Sequence, residues 1–192
     1  HIPKAGGSSI EKAFGIYGID NKGFNDEADR NIMFGKDSQH YPYGKILTEC
    51  DRDPSSYFSF SFVRNPWSKI VSEFFWRRCW DERIKGLFFK QFARRVCELD
   101  LRNPRTCSHF LEQFTFIYNK NMLMVDFVGK FENLQQDLDF ACGLAGIARQ
   151  QLTHANKSNH EHYSQYYDDE TQQIVAEKYS KDIEYFGYKF GE

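Results

Sequence analysis

Residues 56–76 read SYFSFSFVRNPWSKIVSEFFW, and the pattern there changes period across a two-residue joint. The aromatic alternation of residues 56–63 is a strand signal. Asn65 is a good helix N-cap and Pro66 suits the first helical position, so a strand feeds straight into a helix. The joint also places Arg64 where the strand ends, which is where open α/β sheets bind ligands. A guanidinium there can grip a phosphate with two parallel hydrogen bonds. Ser72 falls almost two turns into the helix, where its hydroxyl could reach the same anion; read singly, it is equally a solvated serine.

The start of the chain, HIPKAGGSSIEKAF, raises the same question in another form. Ile10, Ala13 and Phe14 fall at helical spacing, predicting a helix from Ser8 to about Ile16. Just before it stand Lys4, Gly6, Gly7, Ser8 and Ser9. One reading is a tight turn with a serine N-cap. The other is a phosphate cradle, in which glycines admit the anion, helix-start amides point at it and Lys4 adds a point charge. Two strand-to-helix joints with anion-binding groups suit a nucleotide carrying phosphates at two positions. His1 and Ile2 read as the tail of a strand whose earlier residues are absent, so the chain is taken as a fragment at its N-terminus.

Further along, residues 17–55 are rich in Gly, Asn, Asp and Pro and read as loops with short elements. IKGLFFKQFARRVCEL (84–99) reads as one long helix. MVDFVGKFENLQQDLDFACGL (124–144) reads as a short buried strand followed by a helix. DDETQQIVAEKYSKDIEYF (168–186) reads as a C-terminal helix with acidic residues in its first turn. Strands alternating with helices give an α/β fold with a mostly parallel sheet. A chain of 192 residues, 41% hydrophobic and with 19 Phe, suffices for one domain, assigned to 1–192.

A net charge of −2 argues against holding polyanions by overall field, and no nucleic-acid-binding module is recognisable. Cys50, Cys79, Cys97, Cys107 and Cys142 form no CxxC pair and no metal-ligand spacing, so no metal is expected. Their odd number fits reduced thiols, with one bridge among Cys79, Cys97 and Cys107 as the alternative. Within these residues no run approaches a membrane span and no signal-peptide pattern is seen, which says nothing of an anchor outside them. Residues 77–105 carry nine basic and four acidic residues, which reads as a solvated charged face rather than a glycan surface.

HIPKAGGSSI resembles the 5′-phosphosulfate loop of the sulfotransferases, and FVRNPWSKIVSEF resembles their 3′-phosphate-binding segment. The later VDFVGKFENLQQDL and DIEYFGYKF are similar to the carbohydrate-type, membrane-associated, family 2-like branch. The resemblance spans nearly the whole chain, with both phosphate segments in the expected order. It implies a P-loop-like three-layer sandwich with a central, mostly parallel sheet flanked by helices. It implies transfer of a sulfuryl group from 3′-phosphoadenosine-5′-phosphosulfate (PAPS) to an acceptor hydroxyl on a carbohydrate, with no metal.

By that resemblance Lys4, Ala5, Gly6, Gly7, Ser8 and Ser9 surround the 5′-phosphosulfate, and Lys4 also stabilises charge on the bridging oxygen. Arg64 and Ser72 hold the 3′-phosphate. His40, between the two segments, is the expected base, an imidazole of ordinary pKa about 6.5. His109 is the runner-up, and His109 and Gln113 are expected to line the acceptor pocket. Glu132 is either catalytic or a helix-start acid. His154 and Lys157 sit in a polar loop that could close over the nucleotide.

Two rivals stand beside this reading: a P-loop nucleotide kinase and a non-catalytic glycan-binding module. The lysine precedes the glycines, unlike a Walker A loop, although Asp126 keeps a Mg²⁺-dependent reading in play. A compact chain with an odd cysteine count favours a bacterial cytoplasmic setting. A Golgi-lumen domain with a membrane anchor outside this stretch is the alternative.

Overall fold

The computed structural model describes residues 1–15, 40–49, 56–100, 108–152 and 160–192. In chain order the elements are α1 (Gly7–Ala13), α2 (Tyr43–Glu49), β1 (Phe60–Val63), α3 (Pro66–Arg78), α4 (Glu82–Lys85) and α5 (Phe89–Glu98). They continue as α6 (Phe114–Ile117), β2 (Tyr118–Asn119), β3 (Met122–Leu123), β4 (Phe127–Lys130), α7 (Leu134–Leu144), α8 (Asp169–Lys178) and α9 (Ser180–Phe186). These residues fall into two compact units, 1–63 with 115–156 and 64–114 with 157–192.

In the first unit, β1 and β4 pair in parallel, with Phe60 opposite Phe127 and Val63 opposite Lys130. Strands paired this way need a long crossover, which the 63 residues between Val63 and Phe127 provide. The entry to the pair is fastened by Asp126, whose Oδ2 accepts from the Ser59 amide at 2.7 Å and hydroxyl at 2.9 Å. Asp126 precedes β4 and so lies at the edge opposite the strand ends where a phosphate-bound Mg²⁺ would be held. That removes the one feature favouring a Walker-type reading. At the other edge, Asp137 of α7 accepts from the Lys130 amide at 2.6 Å. Leu138, Ala141 and Cys142 are the buried side of α7.

The second unit is helical. Asn65 caps α3 as expected, accepting from the amides of Trp67 and Ser68, with Pro66 at the first helical position. Trp67, Ile70, Val71 and Phe74 then recur at i, i+3, i+4 and i+7 and face one core. Phe89, Phe92, Ala93 and Val96 of α5, Val175 of α8 and Tyr179 complete it. Each large apolar side chain buried there contributes about 1.5–3 kcal/mol before entropy is counted.

Several boundaries differ from those read in the sequence. Only the last four residues of the aromatic run pair as a strand, because β4 offers four partners. The helix expected over 84–99 is broken at Gly86–Phe88. Asp81 caps the short α4, and the Gln91 side chain reaches back to the Phe88 amide at 3.0 Å to start α5. The C-terminal helix breaks at Tyr179, whose buried ring and 3.0 Å hydroxyl bond to the Phe110 carbonyl redirect the chain. Lys120 and Asn121, both at positive φ, turn β2 back onto β3 in a hairpin the sequence reading did not contain. His1 and Ile2 are not paired in a strand, although Ile2 is buried.

The α/β class therefore stands, with a small parallel sheet and helices. A wider central sheet, and with it the three-layer sandwich, is not seen among the described residues. Cys79, Cys97 and Cys142 are free thiols, while Cys50 and Cys107 lie outside the described residues. No described helix is long and apolar enough to cross a membrane. Most of residues 17–55 lies outside the described residues; within them, 43–49 form α2.

Candidate functional site

The turn that opens α1 takes a left-handed backbone at two positions and carries no serine cap. Ile2 and Ala5 are buried and form its floor, with the Ala5 amide on the Ile2 carbonyl at 3.4 Å. Lys4 and Gly6 both take positive φ, 64° and 91°, so successive peptides alternate in sense. Such a run makes a concave nest of N–H groups. Gly6 is the N-cap and no side chain caps the helix, so neither Ser8 nor Ser9 plays the role the first reading gave them. The Ser9 amide returns to the Gly6 carbonyl at 3.0 Å. The amides of Gly6, Gly7 and Ser8, at the helix start, have no intrahelical acceptor.

Sterics explain the two glycines. A Cβ on Gly6 would come within 2.8 Å of Leu134 Cδ2, besides meeting the left-handed backbone. One on Gly7 would lie 2.3 Å from the His1 ring. That ring is held by Glu11, 2.9 Å from His1 Nδ1, and by the edge of His40, with centroids 4.6 Å apart.

His40 belongs to the same unit. Its Nδ1 lies 3.0 Å from the His1 carbonyl oxygen. A carbonyl only accepts, so Nδ1 carries a proton, and this bond fixes the orientation of the loop histidine's ring.

In the second unit Arg64 is 9% exposed, and its Nε donates to Ser68 Oγ at 3.0 Å. Ser72, buried at 6%, is one further turn along α3. Ser68 and Ser72 share a face of α3 at i and i+4, and the bond from Arg64 joins it to the first of them. The sequence reading paired Arg64 with Ser72 and passed over Ser68, although its spacing of four from each was the available signal.

Gln113, expected in the acceptor pocket, is fully buried and its side chain bonds the Arg64 peptide. Its Oε1 accepts from the Arg64 amide at 2.8 Å, and its Nε2 donates to the Arg64 carbonyl at 2.7 Å. Asp182 of α9 accepts from the amides of Gln113 at 2.9 Å and Phe114 at 2.8 Å, and from Gln113 Nε2 at 3.3 Å. Burial pushes the Asp182 carboxyl up to about 6, against these bonds and the charge of Lys69. Nothing in the sequence set Asp182 apart from the other acids of the last helix.

His109 is held by buried charge. Its Nδ1 lies 2.9 Å from Glu73 Oε2, its ring stacks on Trp76, and its carbonyl accepts from the buried Lys69 at 2.6 Å. Glu73 also accepts from Arg77 at 2.5 Å. Burial works to raise the Glu73 carboxyl, but His109, then Arg77, outweigh it and hold it below its ordinary value. An ionised Glu73 only accepts, so the His109 Nδ1–H donates to it and the ring's orientation is set.

The other expectations resolve more simply. Glu132 is exposed in the 3-10 turn Phe131–Asn133 that leads into α7, a helix-start position. The basic stretch from Arg77 is largely paired, Arg83 with Asp81, Lys85 with Glu82, Lys90 with Asp168 and Arg94 with Glu170. His154 and Lys157 lie outside the described residues. Among the described residues, no group of three or more His, Cys, Asp or Glu is placed to hold a metal ion.

Comparison with known proteins adds two findings. The model of the family described as "Sulfotransferase family" matches residues 1–189. A protein of Archaeoglobus fulgidus, described as "Uncharacterized protein", is 32% identical over 82 residues, which are 43% of this chain and 62% of that protein. The match thus covers less than two thirds of the relative's length. No solved structure matches.

Proposed function

The chain belongs to the sulfotransferase family, and we propose that it moves a sulfuryl group from PAPS to an acceptor hydroxyl on a carbohydrate. PAPS would supply the sulfuryl group and a phosphate leaving group. The observation that carries the reading is the opening turn, where positive φ at Lys4 and Gly6 and an uncapped helix start leave amides for an anion. Those features fit the negative charge of a phosphosulfate. Lys4, Ala5, Gly6, Gly7, Ser8 and Ser9 would hold the 5′ end, with Lys4 placing positive charge where negative charge gathers. Arg64 and Ser72, joined by Ser68, would hold the 3′-phosphate as a charge-assisted pair.

His40 is the proposed base, because its Nδ1 bond to the His1 carbonyl orients the ring and an imidazole suits proton transfer near neutral pH. A second reading has its own observation: His109 is oriented by the Glu73 carboxylate, another arrangement that sets a histidine's ring. Transfer of labelled sulfate from PAPS to a panel of glycans tests both. His40→Ala is expected to keep affinity for adenosine 3′,5′-bisphosphate and lose about 10²–10⁴ in turnover. Unchanged turnover in His40→Ala with loss in His109→Ala moves the role to His109. No transfer to any glycan by the unsubstituted protein contradicts the proposal and favours a binding module.

A further inference from the structure

Arg64 is the first residue past the end of β1, and among the described residues no strand pairs with its peptide groups. Gln113 takes that place. Its side-chain amide carries an acceptor and a donor side by side, and they meet the Arg64 N–H at 2.8 Å and C=O at 2.7 Å. This is the two-bond pattern that a facing backbone makes in a hydrogen-bonded strand pair. The second Nε2 proton points at Asp182, 3.3 Å away, which also accepts from the Gln113 and Phe114 amides. Both residues have no exposed surface. Three of the amide's four bonding positions are thereby assigned, and flipping it would set donor against donor at the Arg64 amide.

The geometry points to Gln113 and Asp182 as positioning residues for Arg64: the amide extends β1 by one residue in place of a strand partner, and the carboxylate locks the amide's orientation. The inference rests on the proposed role of Arg64 at the 3′-phosphate. Its consequence is directional. The Arg64 peptide sets the line of its Cα–Cβ bond, and a guanidinium on a long arm turns any rotation of that peptide into a displacement of the fork. Bidentate recognition of a phosphate tolerates little such displacement. Ser68 steadies the arm from the side, through its 3.0 Å bond to Nε. Gln113 and Asp182 fix its root, and neither need touch the nucleotide.

A merely structural role would weaken every ligand alike, whereas a positioning role weakens only what Arg64 holds. The test is therefore a ratio: the affinity for adenosine 3′,5′-bisphosphate over that for adenosine 5′-monophosphate, by calorimetric titration. Gln113→Met, close in shape but without the amide, is expected to lower the ratio about tenfold, with the monophosphate affinity within about twofold of the unsubstituted protein. Asp182→Asn, which keeps an oxygen but presents a donor to a donor, is expected to lower it less. Arg64→Ala sets the floor. If Arg64→Ala lowers the ratio and Gln113→Met does not, the positioning role is overturned while the Arg64 site stands. If Arg64→Ala leaves the ratio unchanged, the site itself fails and the inference with it.

Should Gln113→Met not fold, the unsubstituted protein still decides. The Gln113 side-chain amide resonance in a ¹⁵N-labelled sample is expected to move on adding the bisphosphate and to stay still with the monophosphate. A resonance indifferent to both, with the bisphosphate demonstrably bound, overturns the assignment.

Discussion

Lys4 sits at φ 64°, a region that costs a side chain with a Cβ about 1 kcal/mol. Stability alone would favour glycine there. Lys4→Gly is accordingly expected to melt within a few degrees of the unsubstituted protein while losing at least about 10²-fold in turnover with PAPS. Thermal melting alongside labelled-sulfate transfer checks it, and a large drop in melting temperature would recast Lys4 as structural. At this scale the sequence was readable where chemistry and spacing coincide. Lys4, the glycine pair and Arg64 announce themselves by type. Gln113 was named only through the family's His-and-Gln segment and Asp182 not at all, because their contacts come from burial between elements far apart in the chain. Ser8 and Ser9 misled in the other direction. Serines before an apolar run are good caps, but Gly6 takes the cap once the turn reaches the left-handed region.

Among the elements, α3 bears the most. It carries Trp67, Ile70, Val71 and Phe74 to the core, Lys69 and Glu73 to His109, and Ser68 to Arg64. One residue starts it. Asn65 accepts from the Trp67 and Ser68 amides and donates to the Tyr163 hydroxyl at 3.2 Å and the Lys189 carbonyl at 3.0 Å. Asn65→Ala removes both sets and is expected to cost about 2 kcal/mol or more. Denaturant unfolding measures this, and a loss below about 0.5 kcal/mol would mean the first turn is held elsewhere. The Asn65–Pro66 joint was legible in advance because cap and helix start are local signals. The breaks at Gly86–Phe88 and Tyr179 were not. The helical periodicity runs on through both; at Tyr179 the interruption is a ring buried on the Phe110 carbonyl, and at Gly86–Phe88 it is the separate caps made by Asp81 and Gln91.

For the molecule as a whole, the buried acids set opposing pH dependences. The Asp182 carboxyl is raised from 3.8 to about 6, so the folded chain binds that proton more tightly than the unfolded one. Its contribution is complete below about 3.8 and is lost as pH rises through about 6, a change on the order of 3 kcal/mol. Glu73 is lowered, so its contribution is present above its ordinary value of 4.5 and is lost as pH falls through the lowered one. Comparing unfolding free energies with those of Asp182→Asn isolates the first. The difference, unsubstituted minus substituted, is expected to fall between pH 4 and 6.5, and a flat difference would contradict a buried, ionising Asp182. The α/β class was legible at this scale from alternation alone. Sheet width was not, since partner strands leave no mark on the strand they pair with.

The central claim is that one donor with phosphates at both its 3′ and 5′ positions is held by the Lys4 turn and by Arg64. Calorimetric titration with adenosine 3′,5′-bisphosphate, beside ATP with Mg²⁺, tests it directly on the unsubstituted protein and on Lys4→Ala and Arg64→Ala. The account predicts that the bisphosphate binds at least about tenfold more tightly than ATP–Mg²⁺ and that each substitution weakens it. Binding of ATP–Mg²⁺ as tight or tighter, or bisphosphate affinity indifferent to both substitutions, would contradict it.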